Sequence, residues 1–537
     1  MIYKKGDASS VRAWRPISVS STLYRLVFCN IARTLQELNG VQLFINSKQK
    51  GFMSGIEGAA EHIATLNELV HNAVRKNESI YITALDFNNA FGSIPHEMIT
   101  WSLKAKGFPD YFVSLIKDAY RSSSTKFLIG SNGTRDINTE RGVKQGCPLS
   151  PTLFNLCLEP LLSCVTPQHA ADGVVIELDN DDPIKFNIQA NADDVVLVAN
   201  TEEGMSRMLK TVEEFCTFSG MSIAAKKSVT LAYIQDGNRR NTLATPLRIL
   251  GEEIPIASLD TFVEYLGSPV ATTRSGKKAH SRRRINKVRS KIEAVFSSSL
   301  KITQKLDAVI RLVTPKLDYE MLNGVLPLKD LDALDAYIRG KVNSALNTSG
   351  LPSEFFYTHW KDGGLSLMSM VERDLILQVR TFTHLLKSKD VTTKSLFLQS
   401  MIDESAFRRI DDSCSSPFFN VPFDDDDMVI QGSEKKGTSC LFIRAARAAR
   451  KLKVSVYTKF DSSGSEYSLF QVDDLSENDM LHSTSDNSVN VSSAHTQDNV
   501  LPCSNSGDKH EELIESVDAL NHKQSSVAAQ LNRIVCA

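Results

Sequence analysis

Three aspartates border two stretches that resemble β-strands, and their positions could support metal-dependent chemistry. Residues 79–87 are rich in β-branched and aromatic side chains, and they present Asp86 where this predicted strand ends. Asp193 and Asp194 stand directly before a second apolar strand, 195–199. If the two strands are neighbours in one sheet, the three carboxylates converge.

Converging carboxylates suit Mg²⁺, which prefers hard oxygen ligands. A pair of such ions about 3.5–4 Å apart can activate an attacking hydroxyl and stabilise a leaving pyrophosphate, which is the chemistry of nucleotidyl transfer. An isolated Ala-Asp-Asp turn is more often a solvated loop, so the prediction depends on the motifs around it.

Those motifs follow one another in a fixed order along the first half of the chain. The three blocks around the aspartates are Asp86-Phe-Asn-Asn-Ala-Phe91-Gly-Ser-Ile-Pro-His96, Arg141-Gly-Val-Lys-Gln145-Gly-Cys-Pro-Leu-Ser-Pro151 and Ala192-Asp193-Asp194. The flanking blocks are Lys4-Lys-Gly-Asp7, Trp14-Arg15-Pro-Ile-Ser18, Gln49-Lys-Gly-Phe52, Gly220-Met-Ser-Ile-Ala-Ala-Lys-Lys-Ser228 and Tyr265-Leu-Gly267. In order and spacing they resemble the finger and palm motifs of reverse transcriptases.

The motif wording is closest to non-LTR (LINE-like) retrotransposons, and in particular to their site-specific elements. The typical strings are RPIS, GFMSG, QGCPLSPTLFNL and YLG. Further along, 331–335 and 359–365 are similar to the thumb-side region of such elements. The resemblance implies an RNA-directed DNA polymerase that binds an RNA template, a DNA primer and dNTPs.

The resemblance also implies roles for the residues around the aspartates. Asp86 and Asp193 would hold two Mg²⁺ ions, which Mn²⁺ could replace, with the backbone carbonyl of Phe87 as a further ligand. Asp194 would support the site. Phe91, five residues after Asp86, corresponds to the aromatic gate that excludes a ribose 2′-OH, although an isolated Phe would more often be a core residue.

Other positions would bind the nucleotide or assist proton transfer. Gln145 and Gly146 would let the backbone approach the nucleotide and template, since glycine has no Cβ to obstruct it. Arg15 would bind the triphosphate as a planar, permanently charged fork, with help from Lys4. The motif before Ser228 implies a lysine that protonates pyrophosphate. We predict that this lysine is Lys227, and Lys226 is the alternative. Without the motif, either residue would be interpreted as a solvated surface lysine.

A strongly basic segment follows the Tyr265-Leu-Gly267 motif. Between residues 274 and 291 there are nine basic side chains and no acidic one. A sequence-independent grip on the phosphates of a template–primer duplex needs such a surface, whereas the alternatives are a plain solvated helix or a nuclear address. The nine residues are Arg274, Lys277, Lys278, Arg282, Arg283, Arg284, Lys287, Arg289 and Lys291.

The elements that must position these residues indicate an α+β fold. Apolar side chains at helical spacing predict a helix around 63–74, and helical patterns also fill 96–120, 151–164 and 203–219. Beyond Gly267 the chain reads as mostly helical. We expect a right-hand polymerase with truncated fingers, a palm with an antiparallel sheet and helices, and a helical thumb.

The expected domains are fingers and palm at 1–270, thumb and post-thumb at 271–410, and a linker with an acidic tail at 411–537. The run 424–427 would mark the linker, and 444–453 a short basic helix. Residues 461–537 contain 13 acidic and 3 basic side chains, against 50 acidic and 58 basic in the rest of the chain. We therefore predict a basic body that binds a polyanion and a largely disordered tail.

The composition and the cysteine spacing indicate where in the cell the protein is located. The nine cysteines form no C-x-x-C pair or Cys/His ligand spacing, and no secretory leader or run of 18 apolar residues occurs. We expect a soluble intracellular protein of the nucleus and cytoplasm that is not secreted and has no membrane partner. The sequence leaves its oligomeric state open.

Two hypotheses remain, because the sequence departs from the family pattern. Asn191 occupies a position that is normally Tyr or Phe, and the chain begins inside the finger motifs. One hypothesis is an active non-LTR reverse transcriptase; the other is a truncated or decayed copy that keeps the fold and nucleic-acid binding without catalysis. A group II intron maturase fits the motif wording less well.

Overall fold

The structure of the 537-residue chain is a computed structural model. The described residues are 2–3, 7, 9–10, 13–41, 44–56, 58–121, 123–129, 132–177, 182–237, 239–324, 326–348, 350–407, 441–452, 454–460 and 466–472. Lys4 and the predicted linker run 424–427 lie outside them.

Twenty strands and fifteen α-helices are defined within the described residues. The strands are β1 (Ile2–Tyr3), β2 (Trp14–Arg15), β3 (Ile80–Leu85), β4 (Ser124–Thr125), β5 (Leu128–Ile129), β6 (Asn132–Gly133), β7 (Ile137–Asn138), β8 (Val174–Ile176), β9 (Ile184–Phe186), β10 (Ile188–Asn191), β11 (Asp194–Ala199), β12 (Val229–Asp236), β13 (Arg239–Asn241), β14 (Arg248–Ile249), β15 (Glu252–Glu253), β16 (Ile256–Ala257), β17 (Val263–Tyr265), β18 (Ser268–Val270), β19 (Val454–Phe460) and β20 (Glu466–Val472).

The α-helices are α1 (Thr22–Val41), α2 (Gly58–Lys76), α3 (Ala90–Ser93), α4 (His96–Ala105), α5 (Asp110–Arg121), α6 (Ser150–Gln168), α7 (Glu202–Ser219), α8 (Arg274–Phe296), α9 (Ile302–Ala308), α10 (Asp318–Leu322), α11 (Leu328–Leu346), α12 (Ser353–Tyr357), α13 (Met370–Leu386), α14 (Val391–Phe407) and α15 (Leu441–Lys451). A π-helical turn (Val309–Val313) and two 3₁₀ turns (Thr314–Leu317 and Trp360–Asp362) complete the set.

A central sheet organises the first half of the chain. Its strand order is β10-β11-β3-β12-β13, with antiparallel pairing along this path, and β16 joins β12 in parallel. Both faces of the sheet are covered. Val195 and Leu197 point into a core shared with α4 to α7, whereas Val196 and Val198 point into a second core shared with α2. Burial on both faces explains why β11 is continuously apolar from Val195 to Ala199 rather than alternating.

The helical predictions were largely confirmed, with one difference. α2, α6 and α7 cover the segments predicted near 63–74, 151–164 and 203–219. The segment 96–120, however, consists of two helices, α4 and α5, separated by Gly107 and Pro109. Gly107 has a φ of 75°, and Pro109 disfavours helical geometry in the residue before it, so one continuous helix cannot form.

The chain beyond Gly267 is mostly helical, as predicted. Leu331, Leu334 and Ile338 all face a core that α11 shares with α8, the π-helical turn and α10. α13 and α15 form a further apolar cluster, in which alanines at 445, 446, 448 and 449 allow close helix packing. No helix among the described residues combines the length and the apolar character needed to cross a membrane.

Part of the predicted tail has regular structure. β20, at Glu466–Val472, pairs in antiparallel register with β19, just before the predicted tail begins. The sequence around Tyr467, Leu469 and Phe470 is more apolar than the rest of 461–537, which accounts for a strand there. The remaining residues of the predicted tail lie outside the described part of the chain.

The segment that sequence assigns to the post-thumb region is packed against the palm. Leu396 of α14 belongs to the same core as α2 and the central sheet. Lys50 Nζ lies 2.7 Å from both Glu61 Oε2 and Asp390 Oδ2, and these side chains are 4%, 3% and 11% exposed. A buried ion cluster therefore links residues separated by more than 300 positions in the sequence.

Candidate active site

The central sheet brings the three aspartates together. β11 pairs with β3 so that Val195 lies opposite Leu85. Continuing this antiparallel register by one residue sets Asp194 opposite Asp86, on the same face of the sheet. Asp193 lies beside them in the two-residue turn between the paired residues Asn191 and Asp194. The convergence expected from the sequence therefore occurs in the fold.

The electrostatics of Asp194 reflect this crowding. Removal of its carboxyl from water, together with the negative charges of Asp193 and Asp86, raises the pKa of Asp194 to about 6. The residue as a whole nevertheless keeps an exposed surface, and Asp86 is half-buried. The site is thus an open group of mutually repelling carboxylates, which a cation would stabilise.

The Gly220–Ser228 motif braces the backbone around Asp86. Ala224 N donates to Asp86 O at 2.7 Å, and Asp86 N donates to Ser228 Oγ at 3.1 Å. Phe87 is buried and forms an isolated antiparallel bridge with Ile223. The motif therefore fixes the direction in which the peptide units at Asp86 and Phe87 point.

The same segment brings a lysine to the carboxylates. Lys227 Nζ lies 3.9 Å from Asp86 Oδ1, and the two side chains are 68% and 47% exposed. An ion pair this exposed is weak, so the ammonium can leave Asp86 for a more strongly charged group such as a phosphate. Lys226 is also exposed, and the structure shows the contact with Asp86 for Lys227.

Tyr265 of the Tyr-Leu-Gly motif supports the site from the face of the sheet that packs against α2, a role that sequence reasoning did not assign. Its hydroxyl donates to Asp194 O at 3.4 Å. Tyr265 is 4% exposed, and burial is the main cause that raises the pKa of its hydroxyl above the usual range. The hydroxyl therefore stays protonated and remains a donor.

Phe91 lies at the edge of an aromatic group next to the Asp86 segment. Its ring stacks on Phe154 of α6 with centroids 4.3 Å apart, and it meets Phe52 edge to face at 6.3 Å. Phe91 is half-buried, whereas Phe52 is 54% exposed. A ring that is supported from behind and open at one edge has the rigidity that a steric gate requires.

Gln145 and Gly146 contact the finger segment, which adds a second reason for the glycine. Ser18 N donates to Gln145 O at 2.6 Å. Gly146 has a φ of 119°, and a Cβ at this position would overlap the carbonyl oxygen of Ser18. The close approach that this glycine permits is thus to the protein itself. Arg15, three residues before Ser18, is exposed on β2.

The predicted basic surface lies on α8, but its nine residues do not all face solvent. Lys278, Arg282, Arg283 and Lys287 are exposed. Lys291 is half-buried, and the nearby ammonium of Lys316, more than any other cause, lowers its pKa. Like charges crowded at a surface favour a polyanionic partner.

Other members of the basic set are engaged within the protein. Lys277 is half-buried near Arg444 and Glu68, and burial, more than these charges, lowers its pKa to about 7. A lysine whose charged form is disfavoured in this way is less suited to a phosphate grip than the exposed residues of α8. Arg284 pairs with the buried Glu320.

Arg289 Nη2 donates to Ala333 O at 3.2 Å. Arg274 begins α8, and its side chain is outside the described part of the structure. Lys316, which sequence reasoning missed because it lies 25 residues beyond Lys291, joins the surface only in the folded protein.

Comparison with known proteins agrees with this geometry. The family model described as "Reverse transcriptase (RNA-dependent DNA polymerase)" matches residues 2–270, which is half of the chain. The chain belongs to the reverse transcriptase family. The predicted α+β polymerase hand is thereby confirmed, and the sheet that carries Asp86, Asp193 and Asp194 lies within the matched residues.

Its curated relatives are encoded by non-LTR retrotransposons, as predicted. The "Retrovirus-related Pol polyprotein from type-1 retrotransposable element R2" of Popillia japonica is 28% identical over 373 residues, covering 69% of this chain and 50% of the relative. The corresponding polyprotein of the type-2 element R2DM of Drosophila melanogaster is 28% identical, covering 69% of this chain and 34% of the relative. The chain thus spans half or less of the length of these relatives.

Among solved structures, telomerase of Candida tropicalis in complex with a telomeric RNA fragment is similar at 12% identity, with a TM-score of 0.31, covering 71% of this chain and 56% of that chain. Telomerase of Candida albicans is similar at 11% identity, with a TM-score of 0.27, covering 67% and 55%.

Reverse transcriptases use divalent metal ions, and the carboxylates of this chain suit one. Among the described residues, no group of three or more His, Cys, Asp or Glu side chains forms a cage that could hold a metal by itself. Mg²⁺ usually binds to one or two carboxylates and completes its coordination with water and substrate phosphates. The open arrangement of Asp86, Asp193 and Asp194 fits such shared coordination, because a cation bound there would reduce the repulsion between these carboxylates.

Proposed function

We propose that this chain is an RNA-directed DNA polymerase of a non-LTR retrotransposon, which extends a DNA 3′-OH with dNTPs on an RNA template. The observation that carries this proposal is the register between β3 and β11, because it assembles Asp86, Asp193 and Asp194 from two distant motifs. The membership of the reverse transcriptase family and the retrotransposon relatives support the same reaction.

Within this reaction, Asp86 and Asp193 would hold two Mg²⁺ ions, or Mn²⁺ in their place, together with the backbone carbonyl of Phe87. The ions would lower the pKa of the attacking hydroxyl and neutralise charge on the leaving pyrophosphate. Asp194 would keep the local potential negative enough to attract them. The braced backbone at Asp86 and Phe87 supports this assignment, since metal ligands must be held in place.

The remaining site residues act on the nucleotide. Lys227 would leave Asp86 and give a proton to an oxygen of pyrophosphate as the bond to the α-phosphate breaks. Arg15, with Lys4, would bind the triphosphate, and Gln145 would contact the base pair that forms. The ring of Phe91 would fill the space next to C2′ and so exclude a hydroxyl there.

The template–primer duplex would bind to the exposed face of α8. Lys278, Arg282, Arg283 and Lys287 carry exposed positive charge at that surface, which suits contacts with phosphates irrespective of sequence. We also propose an intracellular setting in the nucleus and cytoplasm. The described cysteines, including the exposed Cys29 and Cys164, are free thiols, which suits a reducing compartment.

A second candidate is a decayed copy that keeps the fold and nucleic-acid binding but not catalysis. The observation that favours it is Asn191, which pairs with Asp194 at the base of the catalytic turn. The family normally has an aromatic ring here, and an amide offers neither its apolar surface nor its stacking to a primer terminus.

Primer extension on poly(rA)/oligo(dT) with Mg²⁺ separates the two candidates. The experiment compares the wild type with Asp193→Ala, Asn191→Phe and the control Asp332→Asn, an exposed position on α11. We expect dTMP incorporation by the wild type and the control and none by Asp193→Ala. Equal background in all four proteins would reject the polymerase, whereas activity in Asn191→Phe alone would identify Asn191 as the lesion of a decayed copy.

A further inference from the structure

The turn that carries Asp193 has an unfavourable backbone conformation. Ala192 has a φ of 57°, in the left-handed region that side chains with a Cβ rarely adopt. Two-residue hairpin turns with positive φ usually contain Gly, Asn or Asp at that position. An alanine keeps such a conformation only where neighbouring groups hold it.

The side chain of Gln49 provides those neighbouring groups. Its Oε1 accepts hydrogen bonds from Ala192 N at 2.7 Å and from Gly51 N at 2.9 Å, and its Nε2 donates to Ala192 O at 3.2 Å. Gln49 is 1% exposed, so water does not compete for these bonds. One buried amide thus binds both the N–H and the C=O of Ala192.

The segment around Gln49 is itself fixed to the catalytic hairpin, which consists of β10, β11 and the turn between them. Ala190 N donates to Lys48 O at 2.9 Å, and Lys50 N donates to Ala190 O at 3.0 Å, which adds a short parallel bridge to the edge of β10. Asn155 Nδ2 of α6 donates to Gly51 O at 2.8 Å. The amide of Gln49 is therefore anchored to both the sheet and α6.

Gly51 shows how tightly this segment fits the turn. A Cβ at Gly51 would overlap Ala192 N, so only glycine allows the segment to lie this close to the turn. On the other side, the turn carries the Asp193 carboxylate next to Asp194, and the Gln49 hydrogen bonds hold the turn against displacement in that direction.

We propose that Gln49 is a positioning residue that fixes the Ala192–Asp193 turn and so sets the location of the Asp193 carboxylate relative to Asp86. This inference rests on the polymerase function proposed above. Residues that act directly on a reacting group must be held to a fraction of an ångström, and small misplacements slow reactions by large factors. Gln49 supplies this precision without contacting substrate.

The test replaces Gln49 with methionine, which keeps the size of the side chain and removes its hydrogen bonds. The matched control is Gln378→Met, since Gln378 is also buried and donates to a backbone carbonyl, Met321 O, within the thumb-side helices. We expect Gln49→Met to lower kcat about 100-fold with KM for dTTP changed less than about threefold. Gln378→Met should leave both constants within about twofold of the wild type.

A second measurement does not depend on activity. In metal-free buffer, hydrogen–deuterium exchange of the full chain should accelerate at the peptide covering 188–195 in Gln49→Met and remain unchanged there in Gln378→Met. Unchanged exchange in Gln49→Met, or a kcat within twofold of the wild type, would overturn the proposal. If the wild type extends no primer, the polymerase function fails, and the exchange experiment still decides the role of Gln49.

Substitution of Ala192 with glycine provides a rescue. Glycine adopts positive φ readily, so the turn of Gln49→Met with Ala192→Gly should return toward its native conformation. We expect the double variant to regain about fivefold in kcat over Gln49→Met and to exchange more slowly at 188–195. A double variant no more active than Gln49→Met would show that backbone conformation at Ala192 is not what Gln49 controls.

Discussion

Removal of one partner from the buried ion cluster between the palm and α14 should strongly destabilise the fold. Lys50 lies between Glu61 and Asp390, and Lys48 Nζ donates to Thr392 Oγ1 at 3.0 Å nearby. The four charged groups contribute two positive and two negative charges. Asp390→Asn would therefore leave one buried positive charge without compensation, and we expect a loss of about 3 kcal/mol, at the lower end for a broken buried pair because Glu61 remains.

A double-mutant cycle with Lys50→Met isolates the interaction. Lys50→Met alone leaves two buried carboxylates beside Lys48, and we expect it to cost about 4 kcal/mol. The double variant retains one charge of each sign, Lys48 and Glu61, so its loss should be about 4 kcal/mol rather than the sum of about 7. The assay is urea unfolding at pH 7, with the exposed Asp332→Asn as control.

The pH dependence of the free energy of unfolding tests whether the charge of Asp390 stabilises the fold. Burial raises the pKa of Asp390, but the charge of Lys50 and hydrogen bonds from Lys50 and Thr393 outweigh it, so the pKa is held below the usual 3.8. A lowered carboxyl pKa stabilises the fold above 3.8 and ceases to do so as the pH falls through the folded-state value. The difference between wild type and Asp390→Asn should thus shrink below about pH 4. A loss under about 1 kcal/mol at pH 7, or additive effects in the cycle, would refute the reasoning.

Three further outcomes are expected. Phe91→Ala should raise incorporation of ribonucleotides relative to deoxynucleotides at least about tenfold in primer extension, because the ring no longer fills the 2′ position; unchanged discrimination would remove Phe91 as the gate. Arg283→Gln with Lys287→Gln should reduce the slope of log K against log salt for duplex binding by about two; an unchanged slope would exclude these side chains from the grip. Asp194→Asn should raise the melting temperature of the metal-free protein at pH 7.5. This gain should diminish toward pH 4, because the wild-type carboxyl, whose pKa is about 6, then becomes protonated. An unchanged melting temperature at pH 7.5 would contradict the repulsion between the carboxylates.

Several residues of the candidate active site could be predicted from local sequence. Asp86 and the Asp193–Asp194 pair were predictable because each borders a strand, and strand pattern is a local property. Lys227 and Phe91 followed from their spacing within motifs that resemble those of a known family. The basic segment was likewise visible as composition, since nine cations without an acid need no fold to be recognised.

Orientation and long-range contact depended on the tertiary structure. Lys277 belongs to the basic segment by composition, yet the helical repeat of α8 turns it toward Arg444 and Glu68. The roles of Gln49 and Tyr265 depend on backbone groups of the catalytic hairpin, at Ala192 and Asp194, that lie 143 and 71 positions away in the sequence.

The sequence by itself determined which residues can do chemistry and which segments form strands and helices, because residue type and hydrophobic period act over a few residues. Only the tertiary structure decided which of these groups meet. The register of β3 with β11 and the burial of Asp390 against Lys50 each join segments from distant parts of the chain. Such pairings depend on how whole faces pack together, and no local pattern in the sequence encodes that choice.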